Sequence, residues 1–202
     1  QICLGIVNEG KSIVRVPDMK IYKADSRSYH FDILQTYVSA CKEQGIELVA
    51  SIPVFFGGDG AACTPYLTLT NGGEINAEHF ASPANDEFFE EITEYFSYIA
   101  THYAIDGIQY DYIRYPYFDG TTDFGYDDAS KKLFTAETGL GADVIDGIAK
   151  QLRAHENWND WVNFKTSLID RRVAELSEKI RSLRPDIYIS AAVANDTGAD
   201  FY

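Results

Sequence analysis

Basic residues are in short supply. The 202-residue chain has 17 Lys and Arg against 31 Asp and Glu, a formal net charge of −14. A surface of that sign repels phosphate backbones and anionic lipid, which argues against nucleic acid and for a neutral or cationic partner. Cysteine is scarcer. Cys3, Cys41 and Cys63 are an odd number with no CxxC spacing, a pattern that supports neither a disulfide framework nor a zinc site. Cys3 and Cys41 sit in apolar runs and read as small core residues. The four histidines, His30, His79, His102 and His155, form no HxH or HExxH pair, so no metal site is expected. No apolar run reaches about 18 residues, so no membrane-spanning segment is expected. Neither GxGxxG nor a phosphate-cradling GxxxxGK motif follows a candidate strand, and no cofactor is expected. The chain lacks an initiator Met and a signal-like start, and Gln1 leads straight into the apolar residues 2–7. That reads as a chain cut from something longer, or one whose targeting segment is gone.

What remains is an ordinary globular composition, 46% apolar and 24% charged, long enough for one domain with a sizeable core. Residues 2–7 form a short β-branched run that reads as a strand ending at Asn8-Glu9-Gly10. Leu34, Val38 and Cys41 recur at helical spacing and are followed by Gly45 as a stop. Residues 46–54 read as a second strand, and residues 56–80, rich in Gly, Thr and Asn, as a loop. Ser82-Pro83 reads as a helix start, with Asp86 and Glu87 in the first turn. Phe88, Ile92, Tyr95, Ile99 and Tyr103 then make one apolar stripe. Residues 108–112 form a third strand. Helices are expected at about 128–138, at 142–153, and from Trp158 until Pro185 forbids continuation. Trp158 and Trp161 read as packing residues. Residues 187–193 make a fourth strand.

Strands alternating with long helices imply parallel crossovers. Near-continuous apolarity in the strands implies a sheet covered on both faces. A doubly wound sheet and a (β/α)8 barrel both fit. Four strands are half of what a barrel needs, so residues 1–202 are expected to form a single, incomplete barrel domain.

In a barrel, chemistry sits at the C-terminal strand ends. Asn8 and Glu9 fall there after the first strand, Pro53, Phe55 and Phe56 after the second, and Asp111, Tyr112, Arg114 and Tyr115 after the third. Asn195 and Asp196 follow the fourth. Asp111 is the sharpest candidate, because it ends an apolar strand and shares a face with Gly107 and Gln109. Arg114 is expected to sit near enough to hold Asp111 ionised. Carboxylates beside tyrosine rings suit sugars, which offer hydroxyls around an apolar ring face. An Asp–Arg pair that merely pins a loop is the alternative. Glycoside hydrolysis usually needs a second carboxylate, for which Glu9 is the first candidate and Asp196 another. Asp119, Asp123, Asp127 and Asp128 read as solvated loop residues, with a calcium-type oxygen cluster as the alternative.

The segment Ile105-Asp-Gly-Ile-Gln-Tyr-Asp-Tyr-Ile-Arg-Tyr-Pro116 resembles the central motif of the glycosyl hydrolase-like family ten, a bacterial (β/α)-barrel group. Other segments agree in order. Phe31-Asp-Ile-Leu34 resembles the family's aromatic-Asp-Pro-Leu helix start, with Ile33 in place of the proline. Cys41-Lys-Glu-Gln-Gly-Ile-Glu-Leu48 resembles its helix-Gly-strand step. Phe124-Gly-Tyr-Asp-Asp128, Phe134 and Glu137-Thr-Gly139 resemble the loop after the central motif. Trp161 through Pro185 resembles its long helix, and Ser190-Ala-Ala-Val193 the next strand. The likeness spans most of residues 30–196.

The resemblance implies a barrel and cleavage of glycans, often outside the cytoplasm or at the bacterial envelope. It also implies a key acidic residue at the position of Asp111. The family's later strands, one with an Asp and a Met-x-Tyr segment, have no counterpart in these residues. Two functions follow as expectations. One is a glycosidase acting on a bacterial or plant polysaccharide through Asp111. The other is a glycan-binding barrel without catalysis.

Overall fold

A computed structural model describes residues 1–8, 10–56, 63–76 and 78–193. In chain order they form β1 (Ile2–Gly5), β2 (Val7–Asn8), β3 (Lys11–Ser12), β4 (Lys23–Ala24), α1 (Ile33–Glu43) and β5 (Leu48–Pro53). There follow α2 (Asp86–His102), β6 (Gly107–Asp111), α3 (Asp128–Thr138), α4 (Ala142–Gln151), α5 (Trp158–Leu183) and β7 (Tyr188–Ala191). The main sheet is wholly parallel, in the order β1-β5-β6-β7. Each strand therefore pairs with the next one added by a helical crossover. The reversal of strand order that marks a doubly wound sheet is absent among the described residues. The short β2, β3 and β4 make a separate three-stranded patch beyond the end of β1.

Helices α1, α2 and α5 lie on one face of this sheet. Ala50, Ile52, Ile108 and Tyr110 point to that face and are shielded from water. Tyr110 meets the ring of Phe96 from α2 at 5.5 Å and the Ser177 hydroxyl of α5 at 3.1 Å. On the other face the register lines up Ser51 with Gln109 and Gln109 with Ser190. Val49 and Pro53 are buried there, but Ser51, Gln109 and Ser190 are half-buried and Tyr188 is 56% exposed. The expectation of a sheet covered on both faces is therefore corrected. Tyr, Val and Cys on the open face keep the strands apolar in sequence, while Ser and Gln between them mark the uncovered side. Cys3 belongs to this face, exposed, with its thiol donating to Gln109 Oε1 at 3.1 Å; it is not a core residue. Gly107 is required because Tyr188 lies across it: a Cβ there would come within 3.0 Å of Tyr188 Cδ1 and of its carbonyl oxygen.

Local chemistry sets the helix ends. The α2 stripe Phe88, Ile92, Tyr95, Ile99 and Tyr103 is buried as its spacing predicts. Its start is not Ser82-Pro83. Asn85 caps the helix, accepting from Phe88 N at 2.9 Å, and the Ser82 hydroxyl is committed to Asp127 Oδ1 instead. Helix α1 ends with Gly45 at φ +65°, where a Cβ would strain the backbone.

Two cores share α5. Leu176 and Ile180 on its second half join the core beneath the sheet. Trp158, Trp161, Phe164 and Leu168 on its first half form a second cluster with Phe134 of α3 and Ile145 and Ile148 of α4. Trp158 and Trp161 are thus packing residues, 8% and 0% exposed.

Candidate active site at the end of β6

Asp111 is the last residue of β6, half-buried, on the open face and two residues past Gln109. The chain leaving β5 continues alongside and fixes it: Val54 N donates to Asp111 O at 2.8 Å and Phe55 N to Tyr112 O at 3.2 Å. The strand ends there because Tyr112 turns to φ +50°, a left-handed conformation that non-glycine residues seldom adopt and that costs on the order of 1–3 kcal/mol. That turn aims the Tyr112 N–H back at the carboxylate, where it donates to Asp111 Oδ1 at 2.8 Å. The Tyr112 ring is held by Phe56 at 5.0 Å and Phe80 at 5.5 Å. The Tyr22 hydroxyl secures the neighbouring strand end by donating to the carbonyls of Pro53 and Phe56.

Arg114 does not pair with Asp111. Its guanidinium lies over three rings, with the centroid of Tyr117 at 4.0 Å, Phe80 at 4.9 Å and Tyr112 at 5.4 Å. Its Nη1 donates to Tyr115 O at 3.1 Å. The expected pairing failed because the left-handed turn at Tyr112 carries the following residues onto the aromatic wall. Asp111, Tyr112 and Arg114 are the sequence candidates that the structure brings together.

Two others are corrected. Phe55 is fully buried, and its role is packing and backbone pairing. Tyr115 is 2% exposed and joins the core. Its hydroxyl is buried and, among the described residues, makes no hydrogen bond of full geometry; burial pushes its pKa well above the usual phenol value, with Asp127 adding to the effect and the nearby Ser130 hydroxyl opposing it. Neither ring is available to a ligand at the strand mouth. Asn8 is exposed, opposite Lys11 across the β2–β3 pair, and no hydrogen bond joins it to Asp111. Glu9, Asn195 and Asp196 lie outside the described residues.

The loop between β6 and α3 is fixed from beneath. Asp123, expected to be solvated, is fully buried and accepts from Lys165 Nζ at 2.6 Å, Tyr126 Oη at 2.9 Å and Trp161 Nε1 at 3.0 Å. Burial pulls the Lys165 pKa down, against the stabilising pull of Asp123. Asp127, 8% exposed, caps α3 and accepts from Ser82 Oγ, Thr68 Oγ1, Ser130 N and Ser130 Oγ. Asp119 and Asp128 face solvent, as expected of loop acids. Asp119 is held locally. Its bonds from the Thr121 and Thr122 N–H groups lower its pKa to about 2. Among the described residues no three His, Cys, Asp or Glu side chains converge to hold a metal ion.

The sequence places Phe56 at the strand mouth without showing that it backs Tyr112, and it gives no sign of Phe80 as the other half of that wall. Phe80 ends the segment read as a loop, residues 56–80, whose path nothing in the sequence reveals.

The pattern defining the family described as glycosyl hydrolase-like 10 matches residues 66–201. The chain belongs to that family. It includes β6, Asp111, the aromatic wall from Phe80 onward, and all of α5. No curated protein matches the chain. Among solved structures, the PgaB (BpsB) glycoside hydrolase domain from Bordetella bronchiseptica is similar with a TM-score of 0.67 and 15% identity. The match covers 95% of this chain and 54% of that one. Alpha-L-fucosidase isoenzyme 2 from Paenibacillus thiaminolyticus is similar with a TM-score of 0.63 and 16% identity, over 91% of this chain and 25% of that one. A hypothetical protein from Ruminiclostridium thermocellum ATCC 27405 gives 0.59 and 15%, over 95% of this chain and 82% of that one. This chain thus spans about half of the first and a quarter of the second. At these identities the likeness is one of fold, and the fold is that of glycoside hydrolase domains.

Proposed function

We propose that this glycosyl hydrolase-like 10 chain carries part of a (β/α)8 barrel that cleaves glycosidic bonds in a bacterial or plant polysaccharide, with Asp111 as a key carboxylate. The barrel reading is supported by the sequential order of four parallel strands and by the packing of α1, α2 and α5 on the same face of them. In a closed barrel the polar face of Ser51, Gln109 and Ser190 becomes the interior, and the end bearing Asp111 becomes the catalytic mouth.

One observation carries the function: a half-buried carboxylate at a parallel strand's C-terminal end, with one oxygen held by the Tyr112 N–H. A fixed Oδ1 leaves Oδ2 oriented for a sugar carbon or a water, the geometry that nucleophile and base roles both require. Tyr112 and Arg114 stand beside it as substrate contacts. Asn8 remains a candidate substrate contact from the end of β2. Glu9 and Asp196 remain candidates for the second carboxylate, and Asn195 for a sugar contact. The same reading puts the reaction outside the cytoplasm, as the family resemblance implies.

Reducing-end release from a glycan panel tests this. Asp111→Asn keeps the shape and removes the charge, so turnover should fall by at least about a thousandfold while the fold survives. Undiminished release by the variant would remove Asp111 from the reaction. A second reading, a sugar-binding barrel without catalysis, is favoured by one fact: no second carboxylate bonds with or beside Asp111 among the described residues. Sugar binding without release by the unaltered protein would establish it.

A further inference from the structure

Arg114 stands apart from the other site residues in what it leaves unused. The chain carries 31 carboxylate side chains against 17 basic ones. Even so, no carboxylate pairs with this guanidinium among the described residues. Among the described residues its hydrogen bonding to protein is the donation from Nη1 to Tyr115 O at 3.1 Å. A guanidinium has five N–H donors in one plane, so most of its donor edge is unspent. Its faces are spent instead. The rings of Tyr117, Phe80 and Tyr112 hold it at 4.0, 4.9 and 5.4 Å. Ring faces stabilise the charge and lock the plane while offering nothing to the N–H edge. The arrangement opens to water at Tyr117, 48% exposed, and stands three residues beyond Asp111. A fixed, half-buried guanidinium with a free edge matches the two oxygens of a carboxylate.

We propose that Arg114 is a specificity-determining residue that reads an acidic group, a uronic-acid carboxylate, on the sugar chain bound at Asp111. The inference rests on the carbohydrate reading of this site and names the class of sugar it takes. The net charge of −14 narrows it further. Exposed charges act over a screening length of about 8 Å in physiological salt, so a dense polyanion is repelled by the surface as a whole. A single carboxylate brought into contact with Arg114 is governed by Arg114. The substrate class is therefore a mostly neutral glycan carrying isolated acidic residues.

The test uses matched pairs of oligosaccharides. One member carries a single glucuronic acid, and the other is the same oligosaccharide with that carboxyl reduced to the alcohol. Binding to the Asp111→Asn protein is measured by calorimetry, with Arg114 intact and with Arg114→Gln. The intact protein should prefer the acidic member by roughly ten- to a hundredfold, the range for one charge-assisted contact. Arg114→Gln should lose the preference, binding the two members with equal affinity whatever its affinity for the neutral one. The comparison of the two members in the intact protein needs no substitution at Arg114 and stands even if Arg114→Gln folds poorly. Equal affinity for both members, or a preference that Arg114→Gln leaves untouched, overturns the inference while the carbohydrate reading survives. Binding of neither member, with no other glycan of the panel bound or cleaved, overturns both.

Discussion

Lys165 Nζ lies 2.6 Å from Asp123 Oδ1, with both side chains wholly shielded from water. The pair joins α5 to the loop that follows the Asp111 strand, across 42 residues of chain. Trp161 and Tyr126 take the second carboxylate oxygen.

Breaking this pair from one side strands a buried charge. Lys165→Met should lower stability by about 3–5 kcal/mol, since Asp123 keeps its burial and loses its counter-ion. Lys165→Met combined with Asp123→Leu should recover a good part of that loss, because both desolvation penalties vanish together. Urea denaturation of the three proteins measures this. A single variant within about 1 kcal/mol of the parent would mean the pair is not holding the loop.

The left-handed backbone at Tyr112 gives a second expectation. Tyr112→Ala and Tyr112→Gly both remove the ring from the Phe56–Phe80 wall, but only glycine adopts φ +50° without steric cost. The glycine variant should be the more stable of the two by about 1 kcal/mol, against the usual order in which alanine is favoured. Thermal midpoints of the pair decide it, and alanine at or above glycine would contradict the backbone geometry.

The cysteines should separate by reactivity. Burial pushes the Cys63 thiol up to about 11, and its Sγ donates to Ile21 O, whereas Cys3 is exposed on the open sheet face. Alkylation of the folded protein at pH 8 should modify Cys3 and spare Cys63, as read by peptide mass. The same shift has a sign for stability. The folded pKa lies above the ordinary value of 9.0, so the unfolded chain releases its proton first. The Cys63 contribution is complete below pH 9 and fades as pH rises towards 11. A denaturation midpoint that climbs over this interval would contradict it.

The sequence was most legible where a period governs. The α2 stripe from Phe88 to Tyr103 is visible because helical spacing collects apolar residues on one side, and Asp111 stands out because an acid ends an apolar run. It was least legible where contacts join distant segments. Asp123 and Asp127 look like solvated loop acids until Lys165, Ser82 and Thr68 arrive from elsewhere in the chain. Ser82-Pro83 has the composition of a helix start, yet Asn85 wins the capping position because Ser82 is drawn to Asp127. Tyr115 and Phe55 looked like mouth residues by their place after a strand. Irregular segments follow no alternation, and their rings turned inward. Cys3 went the other way, since an apolar run at a sheet edge does not say which face is covered.

Helix α5 is 26 residues long, about 39 Å, and its two halves belong to different cores. Neither core can lose its share of that helix and leave the other intact. The cluster around Trp161 and the layer beneath the sheet should therefore melt in one cooperative step, with the Asp111 end of the sheet carried along by the loop that Lys165 anchors.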